Sequence, residues 1–215
     1  PNINHYPVQG STSGALALLN VDFIKDVNFY SGGFSPVYGN RLSSVMDINF
    51  RDGNPDEYDF QADFSMAGIG LIAEGPLPGS KNSWMISGRN SYLDLIDKYF
   101  DVGVAPSWSD VQGKATLDLS PSSNLTLLGV WGNDKSGWDR DKSLELGDSS
   151  YGYHDAVNSA LGFNWFKAWG ANGYSNTSLS RSHIKYDINY SDTASDDLIF
   201  QNDSWEQVVT LRNVN

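Results

Sequence analysis

The sequence lacks cysteine altogether, and its three histidines lie far apart at His5, His154 and His183. A chain without cysteine can form neither a disulfide scaffold nor a thiolate metal site. None of the histidines has the spacing of a zinc motif. The sequence also lacks a G-x-S-x-G elbow, a P-loop and a G-x-G-x-x-G fingerprint. It therefore predicts no metal, no cofactor and no enzymatic activity.

Basic residues and long apolar runs are also scarce. Fourteen Lys and Arg residues face 26 Asp and Glu residues, for a net charge of −12. This balance argues against nucleic-acid binding, which requires a basic surface. The longest apolar run, from Phe64 to Ala73, is about half as long as a membrane-spanning helix. The start has neither a signal peptide nor a methionine, so we expect it to lie within a longer protein or to follow processing.

Apolar residues are instead spread at every second position, which indicates strands with one apolar and one polar face. The pattern is clearest over 58–66, 110–119 and 183–190. Aromatic residues make up 13% of the chain. The predicted strands are 57–66, 69–75, 83–91, 109–119, 125–132, 157–168, 174–190 and 204–213.

Short turns alternate with long connections along the chain. The turns are 75–80, 120–124 and 170–173, with a tighter one at Ala67-Gly68. The long connections are 92–108, 132–156 and 191–203. Transmembrane barrels place short turns on one rim and long loops on the other. The polar faces predicted to line the interior carry Asp59, Gln61, Asp63, Asp110, Gln112, Lys114, Asp118, His183, Lys185 and Asp187. The predicted aromatic girdle comprises Trp84, Trp131, Trp165, Tyr174, Tyr190 and Trp205.

The first 53 residues have a different character, with weak alternation and frequent glycine. Asn20 or Asp22 is predicted to cap a helical turn at 23–24. Short strands are predicted at 27–30 and 44–50. The cluster 51–55, Arg-Asp-Gly-Asn-Pro, is the best predicted domain boundary.

These N-terminal residues carry a family resemblance. Residues 20–34 (NVDFIKDVNFYSGGF) are followed by 36–48 (PVYGNRLSSVMDI). The order of a strand, a glycine, Tyr-Gly and a closing strand resembles the C-terminal part of the plug domain of TonB-dependent outer-membrane receptors. The segments 74–77 (EGPL) and 89–95 (RNSYLDL) are similar to receptors of the Bacteroidota type.

The resemblance implies a mainly all-β fold, in which a partial transmembrane antiparallel β-barrel is preceded by half of a small α+β plug. Residues 1–53 correspond to the C-terminal part of the plug. Residues 54–215 correspond to the first eight or so strands of a barrel of about 22 strands. Such a piece would leave an open sheet edge and is not expected to function alone.

The implied function is active uptake of a scarce substrate across the outer membrane of a Gram-negative bacterium. The family's substrates are ferric siderophores, cobalamin, haem, oligosaccharides and peptides. The implied partners are the TonB complex, reached through a region not in this sequence, outer-membrane lipid and the extracellular substrate. A surface lipoprotein partner would indicate glycan or peptide uptake.

The resemblance also implies two groups of site residues. His5, Tyr6 and Gln9 correspond to a plug segment that contacts substrate in some receptors, although a loop with only internal contacts is the preferred interpretation. The plug motif itself comprises Gly32, Gly33, Tyr38, Gly39 and Arg41. Its glycines suit tight backbone. Arg41 is a candidate lock that would pair with acids on the barrel wall, its alternative being a solvated arginine.

Two other functions fit the composition. Seven tryptophans and an acidic surface suit a soluble carbohydrate-binding β-sandwich. Abundant carboxylates allow a glycoside hydrolase, although no motif selects a catalytic pair. A group of acids between the fifth and sixth predicted strands could bind calcium, but a solvated loop is preferred. That group is Asp134, Asp139, Asp141, Glu145 and Asp148.

Overall fold

The computed structural model describes residues 5, 17–33, 35, 38, 44–65, 68–78, 81–93 and 107–215. The chain is mainly β, which confirms the predicted fold class at that level. Two antiparallel sheets account for all ten of its described strands. Among the described residues, no helix is both long enough and apolar enough to cross a membrane.

The smaller sheet pairs β1 (Ile24–Tyr30) with β2 (Val45–Phe50). The larger sheet has eight strands, and each pairs with the next one along the chain, so that β3 and β10 form its edges. Its strands are β3 (Asp59–Phe64), β4 (Gly68–Pro76), β5 (Ser83–Ser91), β6 (Ser107–Ser120), β7 (Ser123–Trp138), β8 (Ser150–Ala168), β9 (Tyr174–Asp192) and β10 (Leu198–Val214).

All eight predicted strands of the larger sheet exist, but the later ones are longer than predicted. The predicted long connection 132–156 is wrong because β7 and β8 continue far into it, up to the pair Trp138–Gly152. The predicted connection 191–203 is also wrong, since only 193–197 separate β9 from β10. Polar residues lie on both faces over much of the β7 and β8 extensions, whereas β10 begins with the apolar run 198–200 (LIF). Alternation of apolar and polar residues therefore could not reveal them.

A short helix, α1 (Arg140–Leu146), lies between β7 and β8. The side chain of Asp139 accepts a hydrogen bond from the backbone N–H of Lys142 and so caps its first turn. Gly147 ends the helix with a positive φ of 74°. The acids of the predicted calcium loop are thus divided among a helix cap, the helix itself, β7 and, for Asp148, the connection to β8.

The larger sheet has two distinct faces. The contact face carries Ser87, Asp110, Gln112 and Lys114 and touches the N-terminal residues. The apolar face is opposite. Its exposed large side chains are Phe60, Phe64, Leu71, Ile86, Val111, Leu127, Trp131, Leu161, Phe163, Trp165, Leu179, Trp205, Val209 and Leu211.

The face prediction is wrong for β9. The register runs from Asp110 through Gly132 and Asn158 to Ile184. It therefore places Ile184, and with it Tyr186 and Ile188, on the contact face, where all three are buried. The polar residues His183, Lys185 and Asp187 lie on the opposite face. Alternation determines which residues share a face, but not which side that face is turned to.

The same register divides the predicted girdle. Trp84, Trp131, Trp165 and Trp205 lie on the apolar face as predicted. Tyr190 instead packs on the contact face against the buried cluster of β9. Tyr174 shares that face through its stacked partner Phe166.

The N-terminal residues pack onto the contact face over β4 to β7. Asn20 caps a 3₁₀ turn (Val21–Phe23), since its side chain accepts a hydrogen bond from Asp22 N–H at 3.0 Å. Phe23 is fully buried against Ile72 and Met85 of the sheet. Its ring meets Phe50 edge-on at 6.5 Å. This small apolar core attaches the two-stranded sheet to the larger sheet.

Candidate functional site

The candidate site is the set of charged contacts that joins the N-terminal residues to the contact face. At its centre is His5, whose side chain is fully buried. The His5 Nδ1 atom lies 2.5 Å from Asp134 Oδ1 on β7. The His5 Nε2 atom lies 3.0 Å from Asp110 Oδ2 on β6. One imidazole therefore bridges the carboxylates of two adjacent strands.

This geometry determines the protonation of His5. A neutral imidazole has one N–H, whereas an ionised carboxylate can only accept. Both contacts are therefore satisfied only by an imidazolium ion. Burial lowers the pKa of His5, but the hydrogen bonds and charges of Asp110 and Asp134 outweigh it, so the pKa is raised above its ordinary value.

Arg89 of β5 completes what we call the His5 cluster, which comprises His5, Arg89, Asp110 and Asp134. Its Nη2 atom donates to Asp110 Oδ2 at 2.8 Å, and its Nε atom lies 3.1 Å from both oxygens of that carboxylate. The guanidinium and the His5 ring both face the indole of Trp108, at 5.4 and 4.7 Å. Two cations thus balance two buried carboxylates.

Backbone contacts extend the attachment beyond His5. Arg89 Nη2 also donates to the carbonyls of Ala17 at 3.1 Å and Leu18 at 2.8 Å. Gln112 donates to the Leu18 carbonyl at 2.9 Å, and its own carbonyl accepts from Asn20 N–H at 3.1 Å. Residues 17–20 are therefore fixed to β5 and β6 by polar groups.

A second group, the Arg51 cluster, comprises Arg51, Asp52, Glu74 and Lys114. Both terminal nitrogens of Arg51 donate to Glu74 of β4, each at 2.7 Å, in a bidentate pair. The backbone N–H of Asn54 donates to the same carboxylate at 2.8 Å. This pair fixes the predicted domain boundary to the sheet.

The other half of the Arg51 cluster lies on β6. Lys114 Nζ is 2.9 Å from Asp52 Oδ1 and donates to the Phe50 carbonyl at 2.8 Å. Thr116 donates to Asp52 at 2.5 Å. Burial would raise the pKa of Asp52, but these two donors and the charge of Lys114 lower it overall. Lys114 follows Asp110 by four residues, so the two clusters lie about 13 Å apart along β6.

The structure brings together only part of the predicted site. In the arrangement described here, neither ring nitrogen of His5 is open to a substrate. Tyr6 and Gln9 lie outside the described residues, so substrate contact by them stays a prediction. Gly39 and Arg41 also lie outside them, and the Arg41 lock is untested.

The described part of the plug motif has local contacts of its own. Gly33 adopts a φ of +63°, in the left-handed region that favours glycine. Gly32 next to it is exposed. The Tyr38 hydroxyl donates to Asp47 Oδ2 at 2.9 Å, and this bond raises the pKa of Tyr38 to about 12.

The arginines that make the observed ion pairs are not among the site residues predicted from the sequence. Arg51 stands inside the predicted boundary, and Glu74 and Arg89 begin the two segments that resemble the Bacteroidota type. The available signal was a charged residue next to a motif, on a polar face of a strand. Within the described residues, no group of His, Cys, Asp and Glu is arranged to hold a metal ion.

Substituting glutamine for His5 is expected to remove a pH-dependent part of the attachment. A histidine whose folded pKa lies above its unfolded value of about 6.5 stabilises fully below that pH, and loses this effect as pH rises through the folded pKa. Hydrogen-exchange protection of amides 17–20 should therefore be higher in the wild type than in His5→Gln at pH 6. This difference should shrink at alkaline pH.

The matched control is His183→Gln, which changes a histidine on the opposite face of the sheet. It is expected to leave the protection of these amides unchanged at both pH values. A wild-type advantage that is the same at pH 6 and pH 9 would contradict the imidazolium assignment.

Compared with protein-family models, with curated proteins and with solved structures, the chain gives no significant match.

Proposed function

We propose that this chain is part of a TonB-dependent outer-membrane receptor that actively takes up a scarce substrate into the periplasm. Residues 1–53 would be the C-terminal part of its plug, and residues 54–215 the first eight strands of its barrel. The observation that carries the proposal is the inverted polarity of the larger sheet. Over β4 to β7 the polar groups of the contact face are covered by the N-terminal residues, whereas large apolar side chains of the described residues on the opposite face are exposed.

Burial in the described residues supports this inversion. Fourteen polar or charged residues are buried, against eleven apolar ones. Most water-soluble domains bury their apolar side chains and leave charges outside. Asp110 and Asp134 are each only 1% exposed, whereas Phe60 is 79% exposed and Leu211 72%. A barrel with lipid around its apolar face would explain both the exposed apolar side chains and the buried carboxylates.

The dimensions of the sheet agree with a membrane location. From β4 onward each strand has at least nine residues, which is enough for a tilted strand to cross a bilayer. Trp84 lies near the start of β5 and Trp165 near the end of β8, and each of these strand ends adjoins a short turn. Aromatic residues occupy such interface positions in outer-membrane barrels.

The charged contacts suit a plug that must leave the wall and return. Most groups that hold residues 5, 17–20 and 51–54 are polar; the apolar ones described are Leu18, buried over Gly132, and the small Phe23 core. When polar groups separate in a water-filled lumen, water replaces their hydrogen bonds. Release would therefore cost less than exposing an apolar core of the same area.

The soluble β-sandwich requires a second sheet on the apolar face. Among the described strands, β2 reaches the contact face instead, through Phe50, which packs beside Phe23 and whose carbonyl accepts a hydrogen bond from Lys114. No described feature selects one substrate class, so siderophores, cobalamin, haem, oligosaccharides and peptides all stay within the proposal. The TonB complex is the proposed source of energy, and no catalytic step is proposed.

The proposal is tested by a cysteine substitution in the full-length protein, expressed in cells with an active inner membrane. Ser87 is 1% exposed and lies on the contact face beneath Asn20. If the plug is displaced by energy transfer, Ser87→Cys should react with a membrane-impermeant maleimide in energised cells. Labelling should fall sharply after a protonophore is added. These 215 residues contain no cysteine of their own that would compete for the label.

Ser195→Cys is the control, because Ser195 is exposed in the connection between β9 and β10. It should be labelled equally with and without the protonophore. Recovery of the full-length protein in the soluble fraction, without a heat-modifiable band on a gel, would disprove the membrane location. Equal Ser87→Cys labelling in both conditions would count against energised displacement.

A further inference from the structure

The apolar face of the larger sheet is not flat. A groove of 460 Å³ crosses β5 to β9 on that face. Its floor includes Gly113 and Gly129, which pair with each other in the ladder. Its lining side chains are Ile86, Val111, Trp131, Leu161, Arg181 and His183. The groove is therefore apolar along most of its length and ends in a cation and a histidine.

Arg181 has an unusual environment for an arginine in this acidic chain. No carboxylate within the described residues lies within ion-pair distance of it, whereas Arg51 and Arg89 each pair with one. Its contact is a neutral amide: Nε and Nη2 donate to Gln207 Oε1 at 3.0 and 2.7 Å. This bond orients the guanidinium and uses two of its five N–H groups.

The depth of Arg181 is informative if the apolar face meets lipid. It follows the start of β9 by seven residues, about 23 Å along the strand, or about 18 Å in height at a tilt of about 40°. The apolar band of such barrels is about 25 Å tall. With the lower edge of the band set at the start of β9, the guanidinium lies within side-chain reach of the headgroup level at the other edge. Trp205 stacks on His183, with the ring centroids 6.1 Å apart. Tryptophan is common at the headgroup level.

An unpaired arginine on a lipid-facing strand is unfavourable. An anionic phosphate removes this cost, because a guanidinium binds phosphate through parallel charge-assisted hydrogen bonds. The groove floor beside it is shaped for a hydrocarbon chain, since Gly113 and Gly129 leave room between Ile86 and Leu161. The charge of Arg181 and the shape of the groove floor thus both fit one kind of molecule, which carries a phosphate and a hydrocarbon chain.

We propose that this groove binds an anionic membrane phospholipid. One acyl chain lies along Gly113 and Gly129, and the phosphate accepts hydrogen bonds from Arg181, with His183 as a further donor. This inference rests on the proposed function, because it requires the apolar face to lie in a bilayer.

The test uses the full-length receptor purified in a neutral detergent and observed by native mass spectrometry. Dioleoyl phosphatidylglycerol and dioleoylglycerol are titrated separately, so that the acyl chains are identical and only the first lipid carries a phosphate. We expect wild-type protein to bind phosphatidylglycerol at least about tenfold more tightly, because dioleoylglycerol offers no phosphate for a charge-assisted hydrogen bond from Arg181. Arg181→Gln should abolish this preference.

Two further variants separate the contributions of charge and shape. Lys185→Gln removes a cation from the same face of β9, but Lys185 already faces Asp203 at 3.7 Å, so the preference should persist. Gly129→Val fills the groove floor with a larger side chain and should weaken the binding of both lipids. A Cβ at this position meets only Leu161 Cδ1 at 3.8 Å, an ordinary contact that the fold tolerates.

Equal binding of both lipids by the wild type, or a preference that survives in Arg181→Gln, would overturn the site. A lipid-free dimer would also overturn it and indicate a second copy of the chain on this face. Either result in a protein recovered from the membrane fraction leaves the proposed function intact. Recovery in the soluble fraction without lipid would instead remove the proposed function.

Discussion

Asp110→Asn is expected to release the N-terminal residues from the sheet. This carboxylate contacts both His5 and Arg89, and it is 1% exposed. Without its charge, Asp134 would be the only carboxylate among the described residues left to pair with the two cations. Removing one member of a buried ion pair typically costs about 3 kcal/mol or more. The loss exceeds the value of the contact itself, because it leaves buried charge uncompensated.

Hydrogen exchange of amides 17–20 measures this release directly, since these residues are held through Arg89 and Gln112. A cost of about 3 kcal/mol corresponds to a loss of protection of more than a hundredfold. Asp118→Asn is the control, because Asp118 is exposed on the same strand. Unchanged protection in Asp110→Asn would show that the cluster does not hold the segment.

Gly152→Ala is expected to disrupt the pairing of β8 with β9. Gly152 has a φ of +147°, which side chains rarely adopt. An added Cβ would lie 1.9 Å from the carbonyl oxygen of Asn189, an atom of the neighbouring backbone. Relief would require one strand to move away from the other. We expect a cost of about 3 kcal/mol.

Gly162→Ala supplies the comparison within the same strand. Its Cβ would meet only the Leu128 carbonyl oxygen, at 3.9 Å, and its φ lies outside the left-handed region. We expect a change within about 0.5 kcal/mol. The midpoint of urea unfolding of the full-length protein, refolded into lipid vesicles, distinguishes the two variants. Equal midpoints would disprove the close approach of β9 to Gly152.

The existence and order of the strands could be predicted because alternation is a local property. Asn20 could likewise be recognised as a cap, since it precedes the turn that it stabilises. The end of β7 and the start of β8 could not be predicted, because the two faces no longer differ in polarity there, although the ladder of backbone hydrogen bonds continues. The start of β10 could not be predicted either, since residues 198–200 are apolar on both faces.

The candidate site depends on pairings between distant residues, and local patterns do not encode these. His5 is separated from Asp110 by 105 residues and from Asp134 by 129. The sequence indicated that charges on a polar face would meet the plug, and it suggested an arginine for this role. It could not determine that Arg51 and Arg89 make such pairs, because the choice depends on the register of β4 to β7.

The spacing of the two clusters has a mechanical consequence. A pull on the chain from its N-terminal side reaches His5 first, then the contacts of 17–20, and only then Arg51. The His5 cluster, the contacts of 17–20 and the Arg51 cluster therefore bear the load one after another and break in that order. The peak force is set by the strongest single attachment rather than by their sum. The larger sheet can thus hold the N-terminal residues firmly at rest and still release them under a modest directional force.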